Sequence, residues 1–75
     1  MKYYHSIERR EIHLPSDLTM EFVPFFISTI NEMISISSED ITIYCSSYGG
    51  DLYAAFSIID YINLIEAKVN TICID

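Results

Sequence analysis

Apolar side chains recur at helical spacing between residues 19 and 35: Phe22, Phe26, Ile30 and then Met33 or Ile34 share one face, with Phe25 beside them. Pro24 is tolerated only in a first turn, where its missing N–H has no partner in any case. The helix is therefore expected to begin near Val23, with residues 18–22 as an irregular lead-in. Ser16, Asp17 or Thr19 would cap it. Before it, residues 10–14 (REIHL) alternate as a short strand with one buried face. After the Ser-rich connection 34–40, residues 41–46 (ITIYCS) are β-branched and aromatic and predict a second strand. Residues 51–66 form a helix with two apolar stripes, Leu52, Ala55, Phe56, Ile59 and Ile62 on one and Ala54, Ile58, Tyr61 and Ile65 on the other. Residues 69–74 (VNTICI) close the pattern as a strand.

Strand, helix and strand over residues 41–74 make a βαβ unit, which implies parallel strands and a right-handed crossover. Parallel strands are normally covered on both faces. Ile41, Ile43, Cys45, Ile72 and Ile74 need that cover, as does the second stripe of the helix, and one further helix cannot supply all of it. The expected class is α/β, and the pattern reads as an unfinished or obligately oligomeric unit.

Composition sharpens this picture. The 75 residues make at most one domain, and 51% of them are hydrophobic, more than so short a chain hides internally. Association with copies, or membership of something larger, follows. A net charge of −7, from 4 basic and 11 acidic residues, argues against a phosphate-tracking surface; Arg9 and Arg10 sit between Glu8 and Glu11. Cys45 and Cys73 form neither a disulfide framework nor a metal quartet, and both lie in apolar runs, so they are expected to be small, reduced core residues. No run approaches the roughly 18 apolar residues of a membrane span, and the start MKYYHSIERR has no signal-peptide core. A cytoplasmic protein with no membrane or nucleic-acid partner, no metal and no cofactor is expected.

Both glycines of the chain, Gly49 and Gly50, stand together where the second strand hands over to the helix (CSSYGGDLYAAF, residues 45–56). One reading is a tight turn, the commonest use of such a pair. The other is an oxyanion hole, in which a main-chain N–H stabilises charge building on a carbonyl oxygen during acyl transfer. Neither GxGxxG nor GxxxxGK is present, and Asp51 would repel a phosphate and weaken an oxyanion site somewhat.

From Asp40 to Ile74 the sequence resembles, without gaps, the stretch of the Clp protease proteolytic subunit that runs from a core strand through an S-P-G-G turn and a helix to a T-I-C-I strand. ERREIHL is similar to the family's earlier strand, and the phenylalanine-rich helix to its first core helix. The resemblance covers most of this chain but only the N-terminal part of a family member. It implies a ClpP/crotonase-like fold, a parallel sheet with flanking helices, present here in part, with residues 1–75 forming one incomplete domain. By position it implies that the Gly50 N–H helps form the oxyanion hole with Gly49 supporting the turn. It also implies that Leu52 lines the bound peptide and that Tyr44 belongs to a surface pocket where an unfoldase docks. Tyr44 reads equally well as a strand tyrosine with a satisfied hydroxyl. Tyr48 replaces the usual proline, Ser46 the usual asparagine, and Thr42 an aromatic of the docking pocket.

The family's nucleophilic serine follows the T-I-C-I strand in a G-x-A-A-S-M-type motif, and Asp75 stands where its opening glycine would be, so no member of the catalytic triad is assigned here. Ser46 and Ser47 lack a G-x-S-x-G setting and read as loop serines. His13 alternates with Ile12 and Leu14 and should face solvent; His5 lies in a polar terminus. Glu39, Asp40 and Asp60 read as solvated. The resemblance therefore implies the front part of a serine endopeptidase, inactive alone, that degrades unfolded polypeptides in a heptamer-type homo-oligomeric ring with an ATP-driven AAA+ unfoldase. A non-catalytic short paralogue that binds or caps a peptidase ring is the alternative. A crotonase-like acyl-CoA protein is a weaker third.

Overall fold

A computed structural model describes residues 3–45, 49–65 and 67–73. In chain order the elements are β1 (His5–Ser6), β2 (Glu11–His13), β3 (Asp17–Leu18), α1 (Phe22–Ile36), β4 (Ile41–Cys45), β5 (Gly49–Gly50), α2 (Leu52–Leu64) and β6 (Val69–Cys73). The main sheet has the order β1-β2-β4-β6, and a second, two-strand sheet pairs β3 with β5. β4 is parallel to both β2 and β6, while β1 returns antiparallel on β2. The predicted βαβ unit is thus β4–α2–β6, and a second one precedes it as β2–α1–β4.

Period-2 alternation decides what each strand buries. Ile12, Ile41 and Ile43 are at most 2% exposed and join one core with Phe22, Phe26, Ile30 and Met33 of α1 and Ala54 and Ile58 of α2. Both helices therefore cover the same face of the sheet. On the other face Glu11, His13, Thr42, Tyr44, Asn70 and Ile72 lie in register across β2, β4 and β6, and none of them is buried. Among the described residues, the cover that parallel strands ordinarily have lies on one face. Tyr3, Phe22, Phe25 and Phe26 add an aromatic cluster over the first turns of α1, with centroid separations of 4.8 to 5.9 Å.

α1 starts one residue before Val23, and Pro24 does fall in its first turn. Its N-cap is Glu21, with no side-chain cap bond, instead of Ser16, Asp17 or Thr19. Phe22 and Val23 donate their N–H groups to Thr19 and Met20 carbonyls, so a preceding turn does the work of a capping side chain. Asp17 is drawn instead into β3, where it pairs with Gly49. The other end of α1 is closed from a distance. The Arg10 guanidinium, 8% exposed, donates to the carbonyls of Met33 (2.7 Å), Ser37 (2.8 Å) and Glu39 (2.8 Å). A cation at orphan C-terminal carbonyls satisfies both hydrogen bonding and the helix dipole. Arg10 holds φ at +56°, and its own carbonyl accepts from Thr42 N–H, so one residue ties β2, α1 and β4 together.

Candidate functional site

The glycine turn is built on an unusually close strand approach. β5 lies parallel to β3 with Asp17 opposite Gly49 and Leu18 opposite Gly50. At Gly50 φ is +133°, and a Cβ there would sit against the Leu18 carbonyl oxygen, 2.6 Å from Leu18 N and 2.9 Å from Leu18 Cα. Only glycine fits that position. At Gly49, with φ +156°, a Cβ would meet nothing within 4 Å. The Asp51 N–H donates to the Leu18 carbonyl at 2.8 Å. Alternate residues of a parallel strand bond to the same neighbour, so the Gly50 N–H, one position earlier, is directed away from β3.

Asp51 then opens α2. Its Oδ1 accepts from Tyr53 N–H at 2.8 Å and Ala54 N–H at 3.4 Å, an N-cap that commits the carboxylate to the helix it starts. Beside the turn lies an open apolar cleft of about 400 Å³ between the end of β4 and the first turns of α2. Leu18, Cys45, Gly49, Gly50, Leu52 and Ile59 contribute to its walls. Leu52, at the first turn of α2, is 61% exposed. The structure thus brings Leu52 and both glycines to one cleft.

Tyr44 is elsewhere. It points to the uncovered face, stacks on His13 with ring centroids 4.7 Å apart, and its hydroxyl donates to Glu11 Oε2 at 3.4 Å. Ile72 is its register partner on β6 and is 44% exposed. His13 is exposed as expected, whereas His5 is held in β1 against the Phe25 ring. Ser46, Ser47 and Tyr48, on which the expectations about loop serines and turn rigidity rest, lie outside the described residues. So do Ile74 and Asp75. Among the described residues no group of three or more His, Cys, Asp or Glu could hold a metal ion.

The two stripes of α2 part incompletely. Ala54 and Ile58 are buried and Tyr61 and Ile65 partly so, while of the other stripe Leu52, Phe56 and Ile59 are exposed but Ala55 and Ile62 are half-buried against the core. Tyr61 crosses to α1, where its hydroxyl bonds Asn31 Oδ1 and lies 3.5 Å from the Ile27 carbonyl. Burial raises its pKa above the ordinary 10.0. The cysteines depart from expectation: Cys45 is half-buried on the cleft, and Cys73, the last residue of β6, is exposed. Sequence reasoning also missed Arg10. Its only signal was a charged residue next to a buried strand position.

A partly built parallel sheet carrying two helices on one face, with a glycine turn between strand and helix, is a fold shared with known proteases. The sequence model of Clp protease matches residues 2–75. The chain belongs to the Clp protease family. It is 31% identical over 72 residues to the ATP-dependent Clp protease proteolytic subunit of Carsonella ruddii (strain PV), covering 96% of this chain and 37% of that one. Two structures of ClpP1 from Listeria monocytogenes, one of them a point mutant, superpose with a TM-score of 0.85 at 27% identity, covering 89% of this chain and 39% of theirs. The chain spans well under half the length of these relatives. Among the described residues no helix is long and apolar enough to cross a membrane.

Proposed function

We infer that these 75 residues supply the oxyanion donor and one wall of the peptide groove of a Clp-type serine endopeptidase. The nucleophile, base and acid would then come from polypeptide outside residues 1–75. The observation that carries this reading is the Gly50 position: an N–H directed away from its strand partner, on the cleft, in a backbone conformation that any side chain would strain. A donor fixed before reaction needs no reorganisation when the tetrahedral oxyanion forms, which is where such sites gain their rate. Leu52 and Ile59 give the cleft an apolar wall suited to extended, unfolded polypeptide. Asp51 keeps its charge while capping α2, and the positive N-terminal end of that helix partly offsets it beside the turn. Tyr44 and Ile72 on the uncovered face would receive the ATP-driven unfoldase, and the exposed stripe Leu52, Phe56 and Ile59 would be covered in a ring of like subunits or by the remainder of the fold.

The test is labelling with a fluorophosphonate that reacts with activated serines, applied to the longest product of the gene and to the 75-residue polypeptide in parallel. Labelling of the first and not of the second is expected. Failure of both to label would favour the second reading, a non-catalytic paralogue that joins or caps a peptidase ring through the exposed α2 stripe.

A further inference from the structure

Two adjacent glycines carry no side chain that could fix their own backbone, and glycine has the widest conformational choice of any residue. Gly49 and Gly50 are therefore held from outside. On one side β3 pairs with them, Asp17 opposite Gly49 and Leu18 opposite Gly50. On the other stands Asp51. Its N–H donates to the Leu18 carbonyl at 2.8 Å, and its own carbonyl accepts from Ala55 N–H at 3.1 Å. Its Oδ1 accepts from Tyr53 N–H at 2.8 Å and Ala54 N–H at 3.4 Å. The backbone of Asp51, at φ −74° and ψ 120°, has the extended geometry of an N-cap. One residue thus ties β3, the glycine pair and α2 together, directly after the Gly50 Cα and carbonyl. By charge alone a carboxylate beside a developing oxyanion is unfavourable. By hydrogen bonding it is the group that orders the turn.

We propose that Asp51 is a positioning residue for the peptidase reaction: its carboxylate and N–H lock the peptide between Gly50 and Asp51 and so aim the Gly50 N–H at the oxyanion. This rests on the reading of Gly50 as the oxyanion donor. Without the Oδ1 bonds, Tyr53 and Ala54 N–H lose their acceptor, the first turn of α2 loosens, and Gly50 regains rotation about its own φ and ψ. A misaimed donor weakens an interaction made in the transition state, so the loss falls on kcat and not on KM. The bonding role does not require the charge, since Asn and Ser cap helices about as well as Asp. Substitution therefore separates loss of the cap from loss of the charge.

The test compares hydrolysis of a fluorogenic peptide by the natural gene product and its Asp51→Ala, Asp51→Ser, Asp51→Asn and Gly50→Ala variants, at temperatures where circular dichroism shows all of them folded. In Asp51→Ala kcat is expected to fall at least about fivefold, bounded by the roughly 10²-fold that a misplacement of about 1 Å can cost. KM should stay within about twofold, and the Ser and Asn variants should recover most of the kcat. Inhibition by a peptide aldehyde, whose tetrahedral serine adduct places an oxygen at the same position, should weaken in Asp51→Ala in parallel with kcat. An unchanged or raised kcat in Asp51→Ala would overturn the proposal. So would Ser and Asn variants as impaired as Ala, or a loss confined to KM. Those three results leave the oxyanion reading standing, provided Gly50→Ala is impaired. Absence of serine-dependent hydrolysis in the wild type, or wild-type turnover in folded Gly50→Ala, overturns both.

Discussion

A methyl group added to Gly49 and one added to Gly50 meet different surroundings, although the two residues are neighbours of the same type. At Gly50 the Leu18 main chain is in the way, and φ is +133°. Gly50→Ala should cost about 2–3 kcal/mol of stability, near the upper end for a residue forced into a sparsely populated conformation. Gly49→Ala, facing open space at φ +156°, should cost about 1 kcal/mol; urea unfolding of the two variants gives the comparison. Arg10 offers a second contrast. Its guanidinium bridges the carbonyls of Met33, Ser37 and Glu39 in a fork that a lysine cannot reproduce. Arg10→Met should destabilise by about 3 kcal/mol, since buried carbonyls lose charged donors, and Arg10→Lys should recover less than half of that. In the sequence Arg10 was only one of a basic pair flanked by Glu8 and Glu11 at the start of a predicted strand, because its partners are 23 to 30 residues away and nothing local announces them.

Elements whose order comes from their own side-chain pattern were legible from the sequence. The 3.6-residue spacing of Phe22, Phe26 and Ile30 and the alternation of Ile41 and Ile43 carry α1 and β4, and the split stripes of α2 carry its two environments. The two-residue strands β1, β3 and β5 were not legible, since they exist only through register with partners elsewhere in the chain. That is also why the site was half visible. The glycine pair marks a turn, but its closeness to Leu18 is a tertiary fact. Substitutions on α2 separate its faces. Ile58→Ala, at 4% exposure, should destabilise by about 2–4 kcal/mol. Phe56→Ala, at 56% exposure, should leave the stability of the single chain within about 0.5 kcal/mol while weakening association. The α1–α2 contact at Tyr61 has a pH signature. Its folded pKa lies above the unfolded value, so the contact is intact below about pH 10 and stability falls as pH rises beyond it. Tyr61→Phe should show a shallower alkaline loss of helical circular dichroism than the wild type.

At the scale of the molecule, the chain is compact yet incompletely covered. Its radius of gyration of 11.5 Å is close to the roughly 11 Å of a folded domain of this length. Nonetheless the α2 stripe, Ile72 on the open sheet face and the apolar cleft all remain in contact with solvent. So much exposed apolar surface marks contact with further polypeptide. The 75-residue chain alone should therefore sediment as concentration-dependent oligomers, and Phe56→Ala should shift it toward monomer. Hydrolysis of a fluorogenic peptide by the natural gene product, compared with its Gly50→Ala and Gly49→Ala variants at temperatures where circular dichroism shows all three folded, tests the oxyanion assignment most directly. The account predicts a loss in kcat of at least about tenfold for Gly50→Ala, because the alanine keeps its N–H but its Cβ meets the Leu18 main chain and must push that N–H out of place; complete loss of one oxyanion donor, about 10²–10³-fold, is the upper bound, and Gly49→Ala should be far less impaired. Equal activity in the folded Gly50→Ala variant, or no serine-dependent hydrolysis by the wild type, would contradict it.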